Sequence, residues 1–237
     1  MKAIDIKNIS FNYKQQAVFN NLCLTINDKE KVGIIGANGA GKTTLFLSIC
    51  GILKMNEGKI SLFDKPVIAG NFHPEIGLVF QNPDDQLFCP TVKDDIIFGA
   101  ENLGLSPSEI EQRFQQVIQT VGVKHLVERI PYQLSGGEKC MVAIASVLIM
   151  QPKIILYDEP SANLDLKARR KLINFLQSSQ ETILVSAHDL ELILEVCDRV
   201  IVMNKGKIVA DGMAEKIMSD KTLMGDNNLE IPPSLSR

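Results

Sequence analysis

The chain has 237 residues, 45% of them hydrophobic and 22% charged, with a formal net charge of −3. This size and composition suit one large globular unit, or one domain that carries a sizeable insertion. The small negative charge and the absence of long basic runs disfavour a general nucleic-acid binder, so no nucleic-acid partner is expected. The basic cluster within residues 167–171 is expected to be a solvated helix face.

The longest apolar run, residues 140–150, is too short to cross a bilayer. The first residues lack an apolar segment followed by a cleavage site, which predicts a cytosolic chain. The five cysteines are scattered without a C-x-x-C pair, which argues against a zinc site or a disulfide framework. Most of them are expected to be reduced core residues.

Alternating apolar residues in segments 3–9 and 22–26 predict two antiparallel strands. The apolar run 32–35 leads into Gly36–Thr43, which fits the phosphate-binding pattern G-x-x-x-x-G-K-[ST]. Glycines let backbone N–H groups surround phosphates, and Lys42 can reach the β- and γ-phosphates. The hydroxyl of Thr43 can ligate Mg²⁺, and a helix follows whose N-terminal dipole faces the anion. The predicted nucleotide-binding residues here are Gly36, Asn38, Gly39, Ala40, Gly41, Lys42, Thr43 and Thr44.

Tyr13, on a predicted loop between the first two strands, has two interpretations. Its ring could stack on an adenine, or it could be a structural aromatic residue. The sequence alone leaves both open.

Segment 76–80 predicts a buried strand that ends at Gln81. From about residue 84 to about residue 150 the pattern is helical, which predicts an inserted helical subdomain. Within it, Ser106–Glu109 is a predicted capping box with Pro at the first helical position. Ser135, Gly136 and Gly137 open a predicted helix over 138–150 and form a second helix N-terminus suited to anions.

Two further predicted strands, 153–157 and 182–187, end at acidic or basic side chains. Asp158 and Glu159 follow the first strand, and His188 follows the second. Ligands of open α/β sheets lie beyond the carboxyl ends of strands, so these side chains and Gln81 are expected at one edge. Asp158 is predicted to lie near Mg²⁺, Glu159 to polarise a water, and His188 to contact the γ-phosphate. Taken singly, the acidic pair could cap a helix and the histidine could be an ordinary one.

A hairpin is predicted over 200–209 and a helix near 214–218. Beyond Asp220, residues 221–237 contain several Gly, Asn and Pro residues and are expected to form a loose tail.

Together these motifs resemble an ATP-binding cassette (ABC) transporter ATPase over residues 2–220. The resemblance implies an α/β P-loop NTPase fold in one domain, 1–220, with a mainly parallel core sheet, an antiparallel β subdomain and the inserted helices. It also implies ATP and Mg²⁺ as ligands, with metal contacts from Thr43, Gln81 and Asp158, and a head-to-tail dimer. The matching segments are 36–43 (Walker A), Gln81 (Q-loop), 134–138 (signature), 154–158 (Walker B), Glu159 (catalytic glutamate), 161–165 (D-loop), His188 (switch histidine) and Tyr13 (adenine-stacking aromatic).

Residues 81–88 are similar to the Q-loop stretch of energy-coupling-factor (ECF) importer ATPases, including those for cobalt and nickel. That similarity implies two membrane partners, a coupling subunit and a substrate-binding subunit, at the cytoplasmic face of the cell membrane, with vitamin import as the alternative. Cys140 stands where a basic residue is usual, so a second ATPase subunit of different sequence is as open as a homodimer. An ABC ATPase that works without a membrane partner is a second class. A P-loop kinase or GTPase is a third, and it does not explain Ser135–Gly137.

Leu87 and Phe88 follow polar and turn-forming residues and fit no periodic core element. They are expected to be an exposed apolar pair that docks a helix of a membrane subunit. The alternative is that both pack beneath the helical subdomain.

Overall fold

The computed structural model describes residues 1–14 and 16–236 and arranges their strands in two sheets. A four-stranded antiparallel sheet has the order β2-β1-β4-β5, and a six-stranded sheet has the order β10-β9-β3-β8-β7-β6. All neighbours in the six-stranded sheet pair in parallel except the edge strand β10. The predicted α/β class is confirmed. The strands are β1 (Lys2–Tyr13), β2 (Gln16–Asn27), β3 (Lys31–Ile35), β4 (Glu57–Leu62), β5 (Lys65–Pro66), β6 (Ile76–Val79), β7 (Ile154–Asp158), β8 (Thr182–Ser186), β9 (Arg199–Asn204) and β10 (Lys207–Met213).

Strand β7 shows how the central sheet is buried on both faces. Ile154 and Leu156 pack toward the antiparallel sheet, whereas Ile155 and Tyr157 pack toward the helices on the opposite face. Strands covered on both faces carry continuous apolar runs, which explains why this segment does not alternate in sequence. The same double burial fixes the strand ends, from which the candidate site residues project.

Helices other than α1 cover the second face of the central sheet or form the insertion between β6 and β7, whereas α1 packs on the first face beside the antiparallel sheet. The inserted helices α2, α3 and α4 pack on one another and on the sheet through one apolar cluster. The helices are α1 (Lys42–Ile49), α2 (Val92–Asn102), α3 (Pro107–Val121), α4 (Gly136–Leu148), α5 (Leu166–Ser178), α6 (Leu190–Val196), α7 (Ala214–Met218) and α8 (Lys221–Asp226).

The two predicted caps of the insertion differ in how completely they form. The Ser106 hydroxyl accepts from the backbone N–H of Glu109, but the Glu109 carboxylate binds Arg113 at 2.7 Å instead of returning to the cap. At α4, by contrast, Ser135 and Glu138 satisfy each other's backbone N–H groups in a full capping box. This reciprocal bonding fixes the start of α4.

Residues beyond Asp220, expected to be loose, are folded against the body of the protein. They form α8 and a short 3-10 turn at Pro233–Leu235. The backbone N–H and the hydroxyl of Ser234 each donate to the carboxylate of Glu191 on α6, both at 2.9 Å. The prediction of a loose tail is wrong because apolar side chains between the turn-forming residues pack against the core. We call these side chains the apolar anchors. The anchors are Leu229, Ile231 and Leu235.

The cysteines are free thiols, as expected, but fewer of them lie in the core. Cys140 and Cys197 are buried, Cys50 and Cys89 are half-buried, and Cys23 is exposed. Burial raises the pKa of the Cys140 thiol to about 12, so this thiol stays protonated near neutral pH.

Candidate active site

The loop between β3 and α1 has a backbone that glycine permits and other residues do not. Gly39 and Gly41 have positive φ angles of 77° and 106°. A Cβ atom at Gly36 would lie 2.2 Å from the carbonyl oxygen of Met203, which no rotamer could relieve. Gly41 is the N-cap of α1 and provides no side-chain cap, so the N-terminal end of this helix is left for another acceptor.

Lys42, the first residue of α1, lies within this loop and is 7% exposed. Its Nζ donates to the carbonyl oxygen of Gly36 at 2.8 Å and lies 3.5 Å from Oε1 of Glu159. A buried ammonium group needs such partners, because an isolated buried charge is costly. The loop therefore holds its positive charge at a fixed point.

Asp158 and Glu159 lie at the end of β7, and Ser186 of β8 holds both. The Ser186 hydroxyl donates to Oδ1 of Asp158 at 2.6 Å. The backbone N–H of Glu159 donates to the carbonyl oxygen of Ser186 at 3.0 Å. Glu159 has a φ angle of 48°, a strained conformation for a residue with a Cβ atom, which costs about 1–3 kcal/mol. Such strain persists only where neighbouring bonds impose it, and it turns this carboxylate toward Lys42.

The two carboxylate oxygens of Glu159 have different surroundings. Oε2 accepts from the backbone N–H of His188 at 2.8 Å. Oε1 is buried and makes no hydrogen bond within residues 1–14 and 16–236, although Nζ of Lys42 lies 3.5 Å away and Nε2 of His188 lies 3.4 Å away. Oε2 therefore anchors the side chain, whereas Oε1 remains able to accept a hydrogen bond.

His188 follows β8 and leans over the phosphate-binding loop. Its Nε2 lies 2.8 Å from Oδ1 of Asn38, and its side chain is 51% exposed. The histidine thus joins the end of one strand to the loop that follows another.

Most of the predicted nucleotide-binding residues line one cleft of about 290 Å³. Tyr13 lines it from the end of β1 and not from a loop; the residue is 47% exposed, and its ring packs edge-on against that of Phe11, with 4.8 Å between ring centroids. Two further lining residues, Gln16 and Val18, were not predicted, because nothing in their types distinguishes them from other strand residues. The predicted residues that line the cleft are Tyr13, Asn38, Gly39, Ala40, Gly41, Lys42, Thr43, Thr44, Gln81, Glu159 and His188.

Ser135, Gly136 and Gly137 do not reach this cleft. Ser135 and Gly136 are exposed at the start of α4, and Gly136 borders a different cavity, which also includes Gln81 and Pro160. Within a single chain, the N-termini of α1 and α4 therefore border different cavities.

The segment after Gln81 is tied to α4 by side chains that the sequence did not single out. The Gln86 amide accepts from the backbone N–H of Phe80 at 3.1 Å and donates to the carbonyl oxygen of Ala143 at 2.8 Å. Lys139 pairs with Asp84 at 2.6 Å. These contacts fasten the segment to α4.

The expectation of an exposed Leu87–Phe88 pair is correct for one residue and wrong for the other. Leu87 is 7% exposed and packs in the core of the helical insertion. Phe88 is 67% exposed and meets Phe98 of α2 edge-on, with 5.1 Å between ring centroids. Phe98 is 43% exposed, so the exposed apolar pair consists of Phe88 and Phe98. We call these two rings the Phe88–Phe98 patch.

The fold and the cleft define an ATP-binding cassette, and comparison with known proteins gives the same result. The family model for the ABC transporter matches residues 19–162. The chain therefore belongs to the ABC transporter family and is an ATPase.

Individual relatives show which kind of ABC transporter protein this chain resembles. A protein of Synechocystis sp., provisionally named an ABC transporter ATP-binding protein, is 54% identical over 98% of this chain and 82% of its own length. The energy-coupling factor transporter ATP-binding protein EcfA of Methanocaldococcus jannaschii is 39% identical over 98% of this chain and 86% of its own length. The solved structure of CbiO1 from Clostridium perfringens, part of the ABC transporter complex CbiONQ, has a TM-score of 0.84 and 32% identity, covering 99% of this chain and 97% of that chain. The resemblance to ECF ATP-binding subunits is confirmed.

Proposed function

We propose that the cleft binds the triphosphate of ATP on Lys42 and the N-terminus of α1, and that Glu159 orients the attacking water. The observation that carries this is the buried Oε1 of Glu159, which makes no hydrogen bond in the described part of the chain and lies beside Lys42. A carboxylate with free acceptor capacity at the phosphate end of a P-loop can hold a water in line. In the same proposal His188, whose Nε2 lies 3.4 Å from that oxygen, contacts the γ-phosphate.

The oxygen groups at the strand ends suit Mg²⁺, a hard cation that prefers oxygen ligands. Asp158 is a buried carboxylate, Thr43 supplies a hydroxyl at the start of α1, and Gln81 supplies an amide oxygen. Magnesium would neutralise phosphate charge as the β–γ bond breaks. The fixed ammonium of Lys42 acts on the same charge.

We propose a head-to-tail dimer in which Ser135, Gly136 and Gly137 of a second subunit close the cleft. Support comes from their position: they are exposed or half-exposed at a capped helix N-terminus outside their own chain's cleft. Two copies of this chain, or this chain with a related ATPase, could form the pair.

The transporter role that the site and relatives favour is the ATPase subunit of an ECF-type importer, most consistent with cobalt or nickel as cargo. Support comes from the resemblance of residues 81–88 and from the EcfA and CbiO1 relatives. Vitamin import is the alternative cargo, and an ABC ATPase without a membrane partner is the alternative class. Among residues 1–14 and 16–236, none of the helices could cross a membrane.

The Phe88–Phe98 patch is our candidate for the surface that docks the membrane coupling subunit, with the substrate-binding subunit joined through it. Asp95 of α2 anchors Phe88: its buried Oδ1 accepts from the backbone N–H groups of Phe88 and Cys89, both at 3.0 Å. Two exposed aromatic rings, Phe88 on a fixed loop and Phe98 on α2, are suited to receive an apolar helix. The hydrogen bonds of the Gln86 amide, with the backbone of Phe80 and with Ala143 of α4, would transmit a conformational change at the cleft to this surface.

We expect Phe88→Ser combined with Phe98→Ser to abolish ATP-driven uptake and weaken co-purification with an integral membrane protein. ATP binding should be unchanged, because both rings lie outside the cleft. The matched control is Val209→Ser with Met213→Ser, two exposed apolar residues of β10. Normal uptake in the aromatic variant, or equal loss in the control, would place the coupling surface elsewhere.

We expect Tyr13→Ala to raise the Kd for ATP about tenfold, because base–aromatic stacking contributes roughly 1–3 kcal/mol. Tyr13→Phe keeps the ring and should change the Kd little. Tyr132→Ala, an exposed tyrosine outside the cleft, is the control. Titration with a fluorescent ATP analogue measures all three, and an unchanged Kd in Tyr13→Ala would return Tyr13 to a structural role.

A further inference from the structure

Arg169, which the sequence placed on a solvated helix face, is instead engaged between two helices. It lies in the first turn of α5, and its side chain is 21% exposed. Its Nη2 donates to Oδ1 of Asp189 at 2.9 Å, and its Nε donates to Oδ2 of the same carboxylate. Such two-point contact between a guanidinium and a carboxylate fixes orientation as well as distance.

The carboxylate that Arg169 binds is also the N-cap of α6. Oδ1 of Asp189 accepts from the backbone N–H of Leu192 at 3.0 Å. Burial raises the pKa of Asp189, but the bonds from Arg169 and from the backbone N–H groups outweigh it, so the pKa is lowered and the group is ionised at neutral pH. The cap and the ion pair therefore coexist in the conditions in which ATP is hydrolysed.

A helix as short as α6 cannot hold its own position. It has seven residues, and isolated helices of that length are unstable in water. Its start therefore depends on the cap and on the contacts of Asp189 with α5. His188 directly precedes Asp189, so those contacts also determine where the His188 backbone lies.

The contacts close a ring around the proposed catalytic carboxylate. His188 donates its backbone N–H to Oε2 of Glu159. Glu159 leads through a turn to Asp165, the N-cap of α5, and the N–H of Arg169 donates to the carbonyl oxygen of Asp165 at 2.8 Å. From Arg169 the ring returns through Asp189 to His188. A rigid ring of this kind would keep Glu159 oriented toward Lys42.

We infer that Arg169 is a positioning residue for ATP hydrolysis: through Asp189 it sets the backbone of His188, and through His188 the orientation of Glu159. This inference rests on the proposed roles of Glu159 and His188. Arg169 does not line the cleft, so nucleotide binding should be nearly independent of it.

The neighbouring residue Arg170 is a matched control. It pairs with Glu195, near the far end of α6, which Nη1 of Arg169 approaches only to 3.9 Å, and the side chain of Arg170 is 52% exposed. It is an arginine on the same turn of the same helix, and it also bonds α6, but it does not contact Asp189. Removing it tests the general effect of losing an α5–α6 ion pair.

The experiment is a double-mutant cycle on the purified full-length chain, with kcat, KM for ATP and thermal unfolding measured for each variant. Arg169→Met keeps the side-chain length without the guanidinium, and Asp189→Asn keeps a good N-cap without the charge. We expect each single variant to lower kcat roughly tenfold with KM changed less than about twofold, and the double variant to be no slower than either, because the two groups act as one contact. Arg170→Met should keep kcat within about twofold of the wild type.

A wild-type kcat in Arg169→Met, strictly additive losses in the cycle, or an equal loss in Arg170→Met would overturn the inference. Glu159→Gln, measured in parallel, separates it from the proposed function. If Glu159→Gln is inactive while Arg169→Met is normal, only the positioning role fails. If Glu159→Gln hydrolyses ATP at the wild-type rate, the proposed role of Glu159 fails, and the inference fails with it.

Discussion

We expect Glu159→Gln to bind ATP with near-normal affinity and to hydrolyse it roughly 10²–10⁴-fold more slowly. This is the range for loss of a side chain that positions or deprotonates a nucleophile. The amide keeps an oxygen that can accept from the backbone N–H of His188, so the side chain should stay anchored. What is lost is the second carboxylate oxygen, Oε1, the acceptor that lies beside Lys42. Phosphate release measures the rate, and size-exclusion chromatography with ATP tests whether the slow variant accumulates as a dimer.

The matched control for this substitution is Glu101→Gln, an exposed glutamate at the end of α2, which should hydrolyse ATP at the wild-type rate. Hydrolysis by Glu159→Gln at the rate of this control would remove Glu159 from the role. Loss of ATP binding together with hydrolysis would instead show that the carboxylate has a structural function at the P-loop.

Lys42→Ala should weaken ATP binding itself, and not only the hydrolysis that follows it. Hydrogen bonds to charged groups contribute about 1.5–3 kcal/mol each, so removing the ammonium should weaken binding roughly 10- to 150-fold. Equilibrium binding of a fluorescent ATP analogue, or calorimetry, measures this change.

Lys42 is buried, so its removal could also disturb packing. Lys42→Met keeps the apolar stem and should bind ATP as poorly as the alanine variant if the charge is the cause. Lys207→Ala, an exposed lysine of β10, is the control for loss of a lysine in general. Near-normal ATP affinity in Lys42→Met would contradict the assigned role of the P-loop.

The sequence was sufficient to predict those site residues whose positions depend only on the residues near them in the chain. The backbone of the turn after β3 requires glycine at Gly36 and Gly41, and both glycines are fixed positions of the pattern that the loop sequence matches. Asp158, Glu159 and His188 could be placed because parallel strands end at a common edge of the sheet. Such features need only the order of apolar runs and the residue that ends each run.

The missed features depend on contacts between distant segments. Nothing in the sequence around Leu87 and Phe88 determines which of the two side chains faces the core, since that depends on how α2 packs beside them. Arg169 and Asp189 are 20 positions apart, and their pairing exists only because α5 and α6 lie side by side. The strained backbone of Glu159 likewise comes from Ser186 on the next strand.

The central claim is that ATP hydrolysis at Glu159 drives import through the Phe88–Phe98 patch. The most direct measurement is uptake of radioactive cobalt or nickel by host cells that lack this gene and carry either the wild-type chain, Glu159→Gln, or the Phe88→Ser and Phe98→Ser variant, at equal expression. We predict metal accumulation with the wild-type chain and none with either variant. Accumulation at the wild-type rate in cells that carry Glu159→Gln would contradict the account.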